Sequence, residues 1–376
     1  MISREKFLNT FLRFLIIFFV APLFIQTNAS QEMLLKLSDF INHIESQKSS
    51  LQGGAVAILH KGHVIYKTTF GYQKGKKGPV TEHTLFPLAS VSKPVSAIAI
   101  ALLVDKGLVD LDEKFQLHCM AHPVNLAHIL SHSTGYDFRG DIHIEKGLSR
   151  TEMLNILKNE VPNNEPGKYY YYSNAIYSLA EEALNLKKLS IEVAIKNLCD
   201  VLGTQEIQLS KVDNHKKLAF PHAIKKIKGR HTKVPLQFPP YYPKTVPAAA
   251  GVFASINGMI EIFKLCFGYR PDLISQQTLD RMFAPVVENS NFANSPTKWP
   301  IDRKNIESHY ALGWRINKVK DQPEKDFIFH CSFINGIRSL IGFVPGSDVG
   351  IIVLTNQDTK FPLEIGAAFW GEFINN

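Results

Sequence analysis

Apolar positions along the chain change period twice. Residues 32–46 place Met33, Leu34, Leu37, Ile41 and Ile44 on one face at helical spacing. Two β-rich runs follow, GAVAILH and HVIYKTTFGY, joined at Lys61-Gly62, which is a hairpin signal. From about 88 to 244 helical patterns dominate, over 90–106, 125–132, 150–160, 174–186 and 190–202. Strand patterns then return in YALGWRINKV, DFIFHCS, IRSLIGFVP and VGIIVLTN, and PLEIGAAFWGEFIN closes the chain as a helix. No internal repeat or low-complexity linker interrupts them. Strands at both ends with helices between predict one antiparallel sheet built from both termini. The fold class is therefore α/β plus all-α in two lobes, a sheet lobe of 30–88 and 245–376 and a helical lobe of 89–244, with a cleft between them.

The first residues stand apart from this pattern. Arg4, Lys6 and Arg13 precede the wholly apolar run FLIIFFVAPLFI at 14–25, and small residues follow to Ala29. That order predicts a secretory signal peptide, 1–29, and an exported protein, periplasmic or secreted; the alternative is an uncleaved N-terminal membrane anchor. The remaining chain, part of 376 residues that are 45% hydrophobic, is long enough to bury a substantial core. Cys119, Cys199, Cys266 and Cys331 are too few for a disulfide framework, and the sequence leaves their pairing open. Of the formal charge of +8, most is local: residues 211–233 hold eight Lys or Arg against Asp213 alone. Such a run reads first as a solvated loop or exposed hairpin, and second as a face for an anionic envelope polymer such as peptidoglycan or for a lipid surface. No aromatic-interleaved basic platform accompanies it, so nucleic acid is not an expected partner.

Candidate chemistry centres on FPLASVSKPVSAIAIALLVDKG. Ser90 and Lys93 share one helical face at i and i+3, at the amino end of an apolar helix where unpaired N–H groups and the dipole favour negative charge. Burial and that dipole both promote loss of the lysine proton, so the pair can make an activated serine. Pro94 falls in or just after the first turn, where its missing N–H costs little. In PGKYYYYSN, Tyr172 can exchange a proton with Ser90 if neighbouring cations lower its pKa, and the Asn174 amide can bond both the lysine and a substrate carbonyl. His118, His122, His128 and His132 with Cys119 have the look of metal ligands, His128 and His132 lying at i and i+4, but no glutamate follows His128 and no metal is expected. Glu165 is read as a loop-bracing residue and Cys331 as a small cleft-lining thiol rather than a redox group.

These motifs in this order resemble the serine β-lactamases and penicillin-binding proteins, in particular the class C β-lactamase, D,D-peptidase and esterase branch. The resemblance runs through HILSHSTGY, EPGKYYYYSN, PAAAGVFASINGMIEIFKL, YALGWRI and GFVPGSDVGIIVLTN, over nearly the whole mature chain. It implies an acyl-enzyme on Ser90, proton transfer by Lys93 and Tyr172, substrate positioning by Asn174, and no metal or organic cofactor. The third motif of that family, KTG or HxG, is matched here by HCSF, with Gly336 in the downstream turn. By that resemblance His330 supplies a potentially cationic donor, Cys331 and Ser332 line the substrate strand, and the N–H groups of Ser90 and Phe333 form the oxyanion hole. Ser332 stands where the family has glycine, so its Cβ and hydroxyl narrow the gap. The expected function is an exported serine hydrolase acting on D-amino-acid peptides of cell-wall type, amides, esters or β-lactams. The rival is a catalytically degenerate member that binds without turnover.

Overall fold

The computed structural model describes residues 33–35, 37–210, 217–289 and 298–374. The signal-peptide reading of 1–29 lies outside them, and among the described residues no helix is long and apolar enough to cross a membrane. From Phe40 onward the chain forms one compact unit.

Helix α1 (Ser38–Lys48) leads to β1 (Gly53–His60), every residue of which is buried. Lys61 and Gly62, with φ of 49° and 73°, turn the chain into β2 (His63–Lys74), and β3 (Lys77–Pro79) and the short β4 (Phe86–Pro87) follow. At the other end of the chain come β9 (Val287–Glu288), β10 (Ile306–Tyr310), β11 (Arg315–Val319), β12 (Phe327–Ile334), β13 (Ile337–Val344) and β14 (Val349–Thr355). The predicted union of the two termini is present: β1 pairs antiparallel with β14, Ala57 opposite Ile352, in a nine-stranded sheet ordered β3-β2-β1-β14-β13-β12-β11-β10-β9. The closing helix α13 (Phe361–Ile374) packs on β12, β13 and β14, with Trp370 stacked on Phe327.

Between these strand sets run α2 (Ser92–Asp105), α3 (Leu126–Leu130), α4 (Asp141–Glu145), α5 (Arg150–Leu157), α6 (Asn174–Tyr177), α7 (Ala180–Leu186) and α8 (Ile191–Leu202). The expected helix at 174–186 is thus two, broken at Ser178 and Leu179. The expected helical stretch of 89–244 also holds β5 (Ile207–Leu209) and a hairpin, β6 (His222–Ile227) and β7 (Arg230–Pro235), before the short α9 (Tyr241–Thr245). The hairpin exposes Lys225, Lys226, Lys228 and Arg230 to solvent, as a charged run on an edge ribbon should. The segment α10 (Pro247–Ala250), β8 (Val252–Ala254), α11 (Ile256–Cys266) and α12 (Gln276–Phe283) completes the packing. All four cysteines are free.

Helix α2 sets the position of the site. Residues 92–103 are buried all round, because α8, α10, α11 and α12 surround the helix. Its serines turn inward to serve as anchors: Ser92 Oγ accepts from the Val252 N–H at 3.0 Å, and Ser96 Oγ donates to the Ala248 carbonyl at 2.9 Å. A 3-10 turn, Ala89–Val91, precedes the helix, and Ala89 enters it left-handed at φ 48°. A non-glycine residue held there costs about 1–2 kcal/mol, which the surrounding buried contacts must offset. The predicted strand YALGWRINKV is interrupted as well: Gly313, at φ 83°, turns β10 into β11. A Cβ on Gly313 would stand 2.9 Å from the Ala97 Cβ and 3.0 Å from the Lys93 carbonyl, so glycine lets this turn press directly onto α2.

Candidate active site

Four elements converge at the amino end of α2. Ser90 sits in the middle of the 3-10 turn, where the N–H groups of a helix start lack intrahelical acceptors. The turn packs against β12. One turn further on, Lys93 is completely buried, and its Nζ donates to Asn174 Oδ1 at 2.5 Å and to the Ala249 carbonyl at 3.1 Å. The ring of Tyr172 lies 4.6 Å from that nitrogen and the ring of Tyr177 5.4 Å. Desolvation carries the Lys93 pKa well below the ordinary lysine value; the charge of Asp141 opposes the shift and that of Arg315 adds to it.

Tyr172 and Asn174 arrive together because Ser173 caps α6: its Oγ accepts from the Ile176 N–H at 3.3 Å, which makes Asn174 the first helical residue. His132 braces the loop before the cap. Its carbonyl accepts from the Tyr171 N–H at 2.9 Å and its Nδ1 from the Ser173 N–H at 3.2 Å, so both neighbours of Tyr172 are fixed. The imidazole is buried among Tyr172 at 4.4 Å, Tyr310 at 4.9 Å and Tyr177 at 5.3 Å between ring centroids. Desolvation, followed by the charges of Lys93 and Arg315, keeps it neutral, as acceptance at Nδ1 requires.

His122, His128 and His132 all serve other ends than a shared ligand set. Helix α3 ends at Leu130 and His132 is left-handed at φ 57°, so His128 and His132 do not share a helical face. His128 instead completes a capping box with Asn125, and His122 Nε2 bonds the Thr134 carbonyl at 2.9 Å. Among the described residues no three metal-ligating side chains gather. Glu165 is exposed on its loop.

The Ser90 hydroxyl neighbours Tyr172 and favours its ionised form. The condition on which Tyr172 would ionise readily, a pKa lowered by neighbouring cations, is not met in net. Burial raises that pKa well above the usual phenol value, and Arg315 and the Ser90 hydroxyl reverse only part of that shift. Tyr172 is therefore a neutral phenol at neutral pH, and Lys93 is the group whose environment favours a free base.

Strand β12 supplies the opposite wall. Asn335 and Gly336 close a two-residue turn whose end pair is Ile334 and Ile337, with Gly336 at φ 82°. In such a hairpin the closing pair exchanges both hydrogen bonds and the next pair none. By that alternation the N–H groups of Cys331 and Phe333 point away from β13, and β11 pairs with β12 only at Phe327–Phe329. The edge from His330 to Ile334 is therefore open among the described strands, facing the Ser90 turn.

The side chains on β12 differ from expectation in one respect. His330 is fully buried; its Nδ1 donates to the Cys331 carbonyl at 3.0 Å, which leaves Nε2 to accept from the Tyr310 hydroxyl at 2.9 Å. Desolvation, then the charges of Arg315 and Lys93, drive its pKa well below the usual histidine value, so it is neutral and its potential as a cation is not realised. The positive charge at this wall belongs to Arg315, whose guanidinium lies 5.3 Å from the Tyr172 ring and 5.6 Å from that of Tyr310. Its Nε is buried without a partner, and among the described residues no carboxylate pairs with it. Burial raises the Cys331 thiol pKa, so that thiol is not activated. Ser332 is buried and its Oγ has no partner, as a hydroxyl wedged into a close approach would be. Phe333 is 77% exposed beneath the Arg338 guanidinium, 3.6 Å from its ring centroid.

The structure thus gathers Ser90, Lys93, Tyr172, Asn174 and His330. Sequence reasoning missed Arg315, Tyr310 and Asp141. A lone basic residue between the apolar Trp314 and Ile316 was the available signal for the first; the other two carried none.

Known proteins resemble the chain over most of its length. The family model described as Beta-lactamase matches residues 40–370. A beta-lactamase of Escherichia coli strain K12 is 25% identical over 358 residues, 87% of this chain and 89% of that one. Penicillin-binding protein 4* of Bacillus subtilis is 32% identical over 139 residues, but the match spans only 34% of this chain and 30% of that protein. Protein flp of Staphylococcus aureus is 23% identical, and the chain spans 65% of it. Among solved structures, the octameric penicillin-binding protein homologue from Pyrococcus abyssi superposes with a TM-score of 0.69 at 21% identity, covering 91% of this chain and 76% of that one. EstCE1, a hydrolase with promiscuous acyltransferase activity, gives 0.66 at 17% identity, covering 92% and 100%.

Proposed function

The chain belongs to the Beta-lactamase family, and from that premise we propose that it is a serine hydrolase acting through an acyl-enzyme on Ser90. The observation that carries this reading is the buried Lys93, three residues from Ser90, held between Asn174 and the Ala249 carbonyl with its pKa depressed. In acylation the Ser90 oxygen bonds the substrate carbonyl carbon while its proton passes to the Lys93 amine, directly or through Tyr172. The carbonyl oxygen becomes an oxyanion bonded by the N–H groups of Ser90 and Phe333. The C–N or C–O bond then breaks, and Tyr172, a neutral phenol, gives its proton to the leaving group and regains one from Lys93. Water hydrolyses the ester by the same transfers in reverse.

The open edge of β12 supports an extended peptide as substrate, since it offers main-chain donors and acceptors to an added strand. Arg315 supports a negative group beside the scissile bond, as in the free carboxylate of a D-amino-acid peptide of cell-wall type. Amides, esters and β-lactams present the same reacting carbonyl. Export under the signal at 1–29, and peptidoglycan or another anionic polymer as the partner of the β6–β7 hairpin, belong to the same proposal. The second reading, a member that binds without turnover, is favoured by the buried hydroxyl of Ser332 at the position where the substrate must pass.

The deciding experiment is intact-mass spectrometry of the protein after incubation with a fluorophosphonate and, separately, a penicillin, beside Ser90→Ala. An adduct on the wild type alone supports the acyl-enzyme. No adduct on folded protein overturns it in favour of binding without turnover.

A further inference from the structure

Behind Asn174, on the side away from Lys93, stands a carboxylate that the reaction above does not use. Asn174 Nδ2 donates to Asp141 Oδ1 at 2.7 Å. Asp141 opens α4, and the residue before it, Gly140, is what allows α4 to begin so close to α6: a Cβ there would lie 2.2 Å from the Ala175 Cβ. The series Lys93–Asn174–Asp141 has one consistent set of donors. An ammonium or amine in this geometry presents hydrogens, so it requires the Asn174 oxygen; a carboxylate only accepts, so it requires the Asn174 NH₂. Without the carboxylate the amide could turn over, presenting NH₂ to the lysine and cancelling the bond that holds Nζ beside Ser90.

We propose that Asp141 is a positioning residue of the site: it fixes the orientation of the Asn174 amide, and through that amide it is the carboxylate linked to the Lys93 nitrogen beside Ser90. This rests on the Ser90 acylation reading.

The surroundings of Lys93 leave Asp141 that role alone. Arg315 faces it from β11, His132 from the loop after α3 and His330 from β12, and each of these, when charged, repels a proton on Lys93. The rings of Tyr172 and Tyr177 cover it on the α6 side. Asp141 is the one carboxylate among the described residues whose charge favours the lysine cation. It is itself faced by Glu145 one turn along α4, whose carboxylate accepts from the Tyr242 hydroxyl of α9 at 3.0 Å.

The test uses Asp141→Asn and Asp141→Ala, with the rate of fluorophosphonate labelling followed from pH 5 to 10 and a thermal melt of each variant. Asparagine keeps an oxygen for Asn174 Nδ2 and removes the charge. Its acid limb is expected to move to lower pH by about one unit, while the plateau rate stays within about threefold of wild type. Alanine removes the oxygen too, and its plateau is expected to fall at least tenfold, about 1.4 kcal/mol. A merely structural residue would change the melt or the plateau without moving the limb. An unmoved limb in Asp141→Asn overturns the inference even if Asp141→Ala fails to fold. Absence of labelling in folded wild type overturns the acylation reading, and this inference with it; labelling with an unmoved limb overturns this one alone.

Discussion

Replacing Lys93 by methionine separates what this side chain does for the reaction from what it does for the fold. The two side chains are unbranched and of similar length, so the exchange conserves volume within the fully buried α2. It removes the donor from two acceptors, Asn174 Oδ1 and the Ala249 carbonyl, and leaving a buried acceptor unpaired costs about 1–3 kcal/mol each. Against this, the fold no longer has to take the proton from a lysine that is charged in the unfolded chain, a cost of about 1.4 kcal/mol for each unit by which burial depresses its pKa. The two nearly cancel, and for a chain this long the melting temperature should stay within about 5 °C of wild type. Loss of the base is uncompensated: labelling of Ser90 by a fluorophosphonate near neutral pH should slow by about 10²- to 10⁴-fold. The variant should also change how stability depends on pH. The folded-state Lys93 pKa is depressed, so between that pKa and the unfolded value near 10.5 the unfolded chain binds more protons, and wild-type stability rises with pH across that window. Lys93→Met should lack that part of the rise when melts are compared from pH 6 to 9. If the folded variant labels within threefold of the wild-type rate, Lys93 is not the base. If its melting temperature collapses, the lysine is a structural brace and the energetic argument above is wrong.

Three further outcomes follow from the same geometry. Arg315→Gln should raise KM about 10- to 100-fold for a peptide ending in a free carboxylate, the value of a charged hydrogen bond, and leave a neutral ester unchanged; equal loss on both substrates would show that the guanidinium merely supports Tyr172 and Tyr310. Ser332→Gly removes a buried hydroxyl without a partner, returning about 1–3 kcal/mol, against about 0.5–1 kcal/mol for glycine in a strand. The melt should hold or rise while penicillin labelling becomes faster, and slower labelling would contradict the steric reading. Lys225→Glu with Lys226→Glu should abolish low-salt co-sedimentation with peptidoglycan, wild-type binding should itself weaken from 10 to 300 mM salt, and Ser90→Ala should have no effect. Binding indifferent to salt would remove the hairpin from the proposal.

What could be read from the sequence was what is local. Ser90 and Lys93 lie within one helical turn, and Tyr172 and Asn174 flank one cap, so spacing alone brought each pair together. That strands from both ends of the chain share one sheet followed from their flanking a helical middle, but which of them pair, β1 with β14, did not. Quantities set by burial were not legible. His330 is neutral because the fold encloses it beside Lys93 and Arg315, and no pattern in HCSF carries that information. Tyr172 remains a phenol for the same reason. Asp141 lies 33 positions before Asn174, and only the close start of α4 at Gly140 brings the two together. The break at Gly313 was hidden by apolar residues on both sides, since a turn pressed into a core has the same composition as a strand.

The free edge of β12 also bears on handling the protein. Unpaired main-chain groups along a strand are a template for any other extended chain, including the same strand of a second copy. The sheet thus keeps an adhesive margin in its middle, and what normally blunts such margins, a lysine or proline on the strand, is absent from HCSFI. Protection falls instead to recess: the margin opens toward the Ser90 turn rather than outward. Partial unfolding that lifts β12 from that turn would therefore expose a sticky edge before the rest of the sheet is lost, so self-association should begin below the melting temperature, and a peptide occupying the edge should delay it.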